Sequence, residues 1–358
     1  MRASSSFVAA VVRPEIRALD PYPVVRAEGM IKLDAMENPF PLPEGLRAKI
    51  AAAVASVPVN RYPDSGAGAV HAALRASLGI ADSLGLICGN GSDELIQIIT
   101  AVVAKAGATM LAPEPSFVMY RRNALYAGMR FVGVPLTAEF ALDSKAMRTA
   151  IERERPALVF LAYPNNPTGN LFATADIVDI LRAAPGLVVV DEAYYAFADA
   201  SFLRRIDEFP NLVVLRTVSK IGMAGLRLGY AVAAPEWTTE FDKLRQPYNL
   251  NALTQAVVPV LLAEGAVLSE QAATLRAERS RLNRALAMLP RVVMFRTETN
   301  FVLARVPDAP RWFDALRSAG ILVKNLHGWH PLLDNCLRIT VGTPAENDAL
   351  IAALKEIR

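Results

Sequence analysis

Lys220 follows the apolar run LVVLRTVS and precedes the small, glycine-bearing segment IGMAGLR. Alone, a lysine in such a place is a solvated loop residue. Ser219 beside it and Arg227 seven positions on give it another meaning. The amine can bond a carbonyl carbon. The hydroxyl and the guanidinium can hold a phosphate, the guanidinium through two parallel hydrogen bonds. Asp191 ends the run GLVVVD, where an unpaired carboxylate is costly and needs a cation. Its bland alternative is an N-cap for a helix in EAYYAFA. Tyr194 lies three residues further and shares a side with Asp191 if the segment turns helically; as a lone tyrosine it is packing.

Three further segments complete a constellation. YPNNPTGN, 163 to 170, is first of all a turn, with its asparagines, prolines and glycine. Within it Asn166 offers a side-chain amide donor. GNGSDELI, 89 to 96, joins a strand to a helix, so Gly91, Ser92 and Asp93 stand where free backbone N–H groups bind phosphate. Capping of an ordinary helix by Ser92 or Asp93 explains this octet equally well. Phe117 in PEPSFVMY is a ring to stack on or a core residue. An amine for an aldehyde, an acid for a protonated ring nitrogen, donors for a phenolate oxygen, a phosphate cradle and a stacking ring are together what pyridoxal 5′-phosphate requires. No GxGxxG or Walker pattern competes for a nucleotide.

Each of these residues follows a β-rich run, and in open α/β sheets ligands sit beyond the carboxyl ends of strands. The runs are TMLA at 109, FVGV at 131, ALVFLAY at 157, LVVVDEAY at 187, LVVLRTVS at 212 and LGYAVAA at 228, with helical patterns between them. They predict an α/β fold with a mainly parallel central sheet flanked by helices. From about residue 269 the pattern changes to a long charged helix, SEQAATLRAERSRLNRALAML, then short strands at VVMF and NFVLARV, which predict a smaller α+β domain. The expected division is 1–45 as an N-terminal arm with part of the small domain, 46–249 as the large cofactor-binding domain and 250–358 as the small C-terminal domain. PAENDALIAALKEIR predicts a terminal helix with Pro344 at its start and Lys355 and Arg358 in its last turns.

The 358 residues carry 38 basic and 35 acidic side chains, a balance of +3 that gives no nucleic-acid track. Cys88 and Cys336 stand far apart with no metal-like spacing and are too few for a disulfide framework, which fits a reducing cytoplasm. The opening MRASSSFVAAVVRPE has an apolar run of six residues, shorter than a signal peptide needs, and reads as an arm. Mean hydropathy is +0.27, yet Lys105, Gln255 and Glu264 interrupt the long apolar stretches, so no membrane span is predicted.

Taken in order, KLDAMENP (32 to 39), NRYPD (60 to 64), GNGSDELI, YPNNPTGN, VVVDEAYYAF, LRTVSKIGMAGLRLGY (215 to 230), QPYN (246 to 249), NFVL (300 to 303) and CLRITVGTPAEN (336 to 347) resemble the histidinol-phosphate aminotransferase family of fold type I pyridoxal-phosphate enzymes. The resemblance covers nearly the whole chain. It implies amino-group transfer between glutamate and imidazole-acetol phosphate for histidine biosynthesis, by a cytoplasmic homodimer acting on amino-acid and keto-acid substrates. By the same resemblance Lys220 is the Schiff-base lysine and proton shuttle, Asp191 pairs with the pyridinium nitrogen, Asn166 and Tyr194 bind the phenolate oxygen, and Phe117 stacks on the ring. Ser92, Asp93, Ser219 and Arg227, with the turn at Gly91, hold the phosphate together with Tyr62 of the partner subunit. Tyr22, Asn166, Lys324 and Arg338 bind substrate. Two positions depart from the pattern: Met36 replaces the asparagine of LDANENP, and Lys324 stands where many relatives have arginine, so a forked contact becomes a point charge. Aromatic amino-acid aminotransferases and threonine-phosphate decarboxylases share the same cofactor constellation. A transcriptional regulator of this fold would need more than the 31 residues ahead of KLDAMENP for its DNA-binding domain. A purely structural role is opposed by the joint presence of Lys220, Asp191 and Arg227.

Overall fold

The computed structural model describes residues 5–23 and 25–357. Alternating side chains of its central strands enter two separate cores: Val188, Val190, Leu212 and Val214 on one face, Leu187, Val189, Val213 and Leu215 on the other. Every residue of Leu158–Ala162, Leu187–Asp191, Leu212–Thr217 and Leu228–Ala233 is buried. Strands covered on both sides need apolar residues at successive positions, which is why these runs show no polar alternation.

Seven strands form the sheet, in the order Gly85–Asn90, Leu228–Ala233, Leu212–Thr217, Leu187–Asp191, Leu158–Ala162, Thr109–Glu114 and Arg130–Pro135. Leu228–Ala233 runs antiparallel to both neighbours, and the remaining pairs are parallel. The α/β reading with a mainly parallel sheet therefore holds.

A smaller body carries a four-stranded antiparallel sheet, Lys324–Asn325, Cys336–Thr340, Phe301–Arg305 and Val293–Met294. Leu275, Leu282 and Leu286 of the long helix Gly265–Ala287 pack against it, joined by Leu33 and Met36 from near the N-terminus. Ile31–Lys32 pairs in parallel with Ile321–Leu322, which ties the early segment to this body. The helix Ala252–Ala263, just past the expected boundary at 249, sends Val257, Val258 and Leu261 into the core of the large body. A bend of 75° separates it from Gly265–Ala287, and among the described residues no single helix is long and apolar enough to cross a membrane.

Two short helices, Ser5–Val11 and Pro14–Arg17, begin the described chain. Arg13 then donates to the Tyr126 carbonyl and Arg122 to that of Asp20, both over 2.9 Å, which lays the arm along the helix Met119–Tyr126. Pro344–Glu356 starts on a capping box made by Thr343 and Glu346 and has Lys355 in its last turn; Arg358 lies outside the described residues.

Candidate active site

The sequence-selected residues of the large body converge at one edge of the sheet. Asp191 closes its strand, Lys220 sits in the single turn Ser219–Ile221 after Leu212–Thr217, and Asn166 follows Leu158–Ala162. Ser92 opens the helix after Gly85–Asn90, and Phe117 follows Thr109–Glu114. Arg227 immediately precedes the reversed strand Leu228–Ala233, so the start of that strand meets the ends of its neighbours. Ser92, Asp93, Phe117, Asn166, Asp191, Tyr194, Ser219, Lys220 and Arg227 line one cavity.

Lys220 is held inside it by one hydrogen bond, Nζ donating to the Ala35 carbonyl over 3.2 Å. Burial, and then the nearby Arg338 charge, lower its amine to about 8, so roughly a fifth is neutral at about pH 7.4. Asp191 accepts from the Tyr120 hydroxyl at 2.7 Å and from the Ala193 N–H at 3.1 Å. Burial raises its carboxyl to about 6 against the pull of those two bonds. No α-helix follows: the only regular turn is the short Tyr195–Phe197, so Asp191 is not the cap of a helix in EAYYAFA. Tyr194 does reach the same cavity, and burial holds its phenol well above the usual range.

The helix Ser92–Val103 has Gly91 as its N-cap and no side-chain cap at all. Capping by Ser92 or Asp93 therefore does not explain the octet, and the helix start keeps backbone N–H groups for an anion. Gly91 has φ +83°, and a Cβ there would lie 2.5 Å from Arg227 Nη2. Glycine is thus required by the backbone, and a Cβ there would push the Arg227 guanidinium aside. Asp93 faces Arg227 at 3.5 Å, and the Ser219 hydroxyl accepts from Thr217 Oγ1 at 2.9 Å.

The turn after Leu158–Ala162 is closed by Gly169 N–H donating to the Asn165 carbonyl at 2.7 Å, with the Asn165 side chain anchored on Pro115 and Thr168. Asn166 Oδ1 accepts from Arg338 Nη1 at 2.7 Å, so its amide N–H2 is the part left for the cavity. Arg338 also donates to the Asp34 carbonyl, while its buried Nε has no partner. Lys324 is paired directly opposite Arg338 across the antiparallel ladder, which puts both side chains on one face. Its Nζ lies 5.0 Å from the ring of Trp329 and 5.7 Å from that of Tyr22. Burial and the Arg338 charge lower the Lys324 amine. Tyr22, Phe117, Asn166, Trp329 and Arg338 line a second hollow beside the first, so Tyr22 stands in its mouth rather than against Lys220. Met36 borders both hollows with φ +54°, a conformation asparagine adopts more readily than methionine.

Tyr62 is the selected residue that the fold does not bring in. It is 80% exposed and stacks on Tyr248 with ring centres 4.5 Å apart. Sequence reasoning missed Tyr120, the hydroxyl partner of Asp191, and Glu192, whose buried Oε2 takes two bonds from Arg216 at 2.8 and 2.9 Å and so fixes the chain just after Asp191. The apolar setting of PSFVMY gave Tyr120 no signal; the charge of Glu192 beside Asp191 in a buried run was one.

Residues 28–354 match the family described as aminotransferase class I and II. A histidinol-phosphate aminotransferase of Chromobacterium violaceum is 55% identical over 96% of this chain and 97% of its own length. One from Burkholderia lata, designated histidinol-phosphate aminotransferase 1, is 52% identical over 96% and 97%. Among solved structures, the histidinol-phosphate aminotransferase of Sinorhizobium meliloti in complex with pyridoxal-5′-phosphate superposes with a TM-score of 0.86, at 29% identity over 97% of each chain.

Proposed function

This chain belongs to the class I and II aminotransferases, and from that membership we propose that its cavity binds pyridoxal 5′-phosphate and transfers an amino group between glutamate and imidazole-acetol phosphate, giving histidinol phosphate and 2-oxoglutarate. The names of the two curated relatives support the substrate, and the Sinorhizobium meliloti complex supports the cofactor.

The residues fit the cofactor. The uncapped helix start at Gly91 and Ser92, with Arg227 and Ser219, would hold its phosphate, and Asp93 would orient Arg227. Asp191 would face the ring nitrogen, Asn166 and Tyr194 the phenolate oxygen, and Phe117 the ring, while Lys220 would bond the aldehyde carbon. When bound, the cofactor supplies an electron-withdrawing ring that stabilises the charge left when the substrate loses its α-proton. Lys220 Nζ is the base that takes that proton, a task suited to an amine near 8 in a buried site. Asn166, pinned by Arg338, presents its amide in one orientation, so substrate clamp and phenolate donor are coupled.

The observation that carries the substrate reading is the cross-strand pair of Lys324 and Arg338. Two like charges directly opposite on a sheet face repel, and an anion between them relieves that repulsion. Two cations suit a site that takes a dianionic phosphate in one half-reaction and the single carboxylate charge in the other. Arg338 can fork onto either group; Lys324 follows the larger phosphate. Lys324→Ala should reduce kcat/KM for the phosphorylated substrate at least about tenfold more than for glutamate, roughly 1.4 kcal/mol of discrimination. Equal losses for both substrates would remove Lys324 from the clamp.

The enzyme acts as a homodimer with Tyr62 reaching the partner's cofactor phosphate. Support comes from Tyr62 and Tyr248, two stacked rings left on the surface outside their own cavity. A cytoplasmic setting agrees with Cys88 and Cys336, both buried and free.

A further inference from the structure

Tyr120 has no part in the roles assigned above, yet it touches two of the residues that carry them. It lies in the helix Met119–Tyr126 and is 1% exposed. Its ring stacks on Phe160 of the neighbouring strand, with centres 4.5 Å apart and planes 10° from parallel. That leaves the hydroxyl aimed at Asp191 Oδ2, 2.7 Å away, and the ring edge against Phe117, 5.6 Å between centres at 85°. We propose that Tyr120 is a positioning residue, whose hydroxyl fixes the Asp191 carboxylate and its negative charge toward the cofactor's ring nitrogen while its ring sets the tilt of Phe117. The inference rests on the cofactor reading of this site.

The charge on Asp191 needs such a partner. Burial opposes it first, and Asp93 and Glu192 oppose it further; the bonds from Tyr120 and the Ala193 N–H are the two influences in its favour. Tyr194 faces it from the following segment as a neutral phenol. A hydrogen bond to a buried ionised group is stronger than one to its neutral form, so removing the hydroxyl penalises the carboxylate selectively.

Tyr120→Phe keeps the ring, its stacking and its volume. The test is the dissociation constant of pyridoxal 5′-phosphate from parent and variant, measured against pH on cofactor-free protein, and read as the ratio of variant to parent. Titrations of the cofactor itself and of Lys220 are common to both proteins and cancel. At pH 8.5 Asp191 is ionised with or without cofactor, and the ratio should be near one. By pH 5.5 the free variant must give up a proton that the parent holds less tightly, and the ratio should climb toward about tenfold. In an Asp191→Asn background the same substitution should give a ratio independent of pH. Should Tyr120→Phe fail to fold, 3-fluorotyrosine at position 120, nearly the same shape but a stronger donor, should drive the ratio below one at pH 5.5. A ratio flat with pH in the parent background would overturn the proposal while leaving the cofactor reading intact. Failure of the parent to bind pyridoxal 5′-phosphate at any pH would overturn both.

Discussion

At the scale of single residues, the site stores charges that the empty protein would rather not carry. Asp191 is raised to about 6 and Lys220 lowered to about 8, each chiefly by burial. A carboxyl raised in the fold stabilises the native state below its unfolded value near 3.8, and that contribution is lost as pH climbs through about 6. The cofactor-free protein is therefore penalised at neutral pH by on the order of 3 kcal/mol for Asp191, since each tenfold in proton affinity corresponds to about 1.4 kcal/mol. Asp191→Asn should make the cofactor-free protein more stable above about pH 7, with the advantage gone below about pH 4, while cofactor binding weakens and turnover collapses. Urea unfolding with and without pyridoxal 5′-phosphate measures both effects. A variant less stable than the parent at every pH would contradict the assignment. The apolar run before Asp191 made this conflict legible in the sequence. The means by which the fold tolerates it was not, because Tyr120 lies 71 residues away in sequence and meets Asp191 only through the packing of a helix on the sheet.

At the scale of elements, the proposed phosphate cradle is a joint between a helix start and a strand start. Gly91 must stay glycine because its backbone has φ +83°, and a Cβ there would displace the Arg227 guanidinium. Gly91→Ala combines backbone strain of about 1–3 kcal/mol with displacement of the guanidinium. Pyridoxal 5′-phosphate should bind at least about tenfold more weakly, whereas pyridoxal, which lacks the phosphate, should lose much less. Equal losses for the two ligands would place the damage elsewhere. GNGSDELI announced this joint, since glycines ahead of a helix start are a local signal. The facing of Lys324 and Arg338 was hidden, because it depends on the register of a hairpin-like pairing across the intervening 3-10 turn Pro331–Leu333. Local spacing reports strands and turns; register and long-range bonds such as Arg338 to Asn166 are decided by the packed whole.

At the scale of the whole molecule, one chain assembles all but one of the selected residues, counting Tyr22 and Arg338 in the adjoining hollow and Lys324 beside the Tyr22 ring. Tyr62, exposed on the surface, is the exception. If two subunits share their sites, mixing Tyr62→Phe with Lys220→Ala protein should restore activity, because each heterodimer then has one site with both groups and one with neither. Subunit exchange followed by native mass analysis, with no recovery of turnover, would count against sharing. The mainly parallel sheet and the change to a smaller body were readable from apolar runs and from the long charged helix, whereas the order of strands in the sheet was not. The packing of Ala252–Ala263 on the large body was not, because that helix is apolar on several faces and its partner is fixed only in three dimensions. The substrate assignment is tested most directly by what the purified protein does with glutamate and two acceptors, imidazole-acetol phosphate and phenylpyruvate. It predicts a kcat/KM at least about a hundredfold higher for the phosphorylated acceptor, a margin of roughly 2.7 kcal/mol, and equal or better turnover of phenylpyruvate would contradict it.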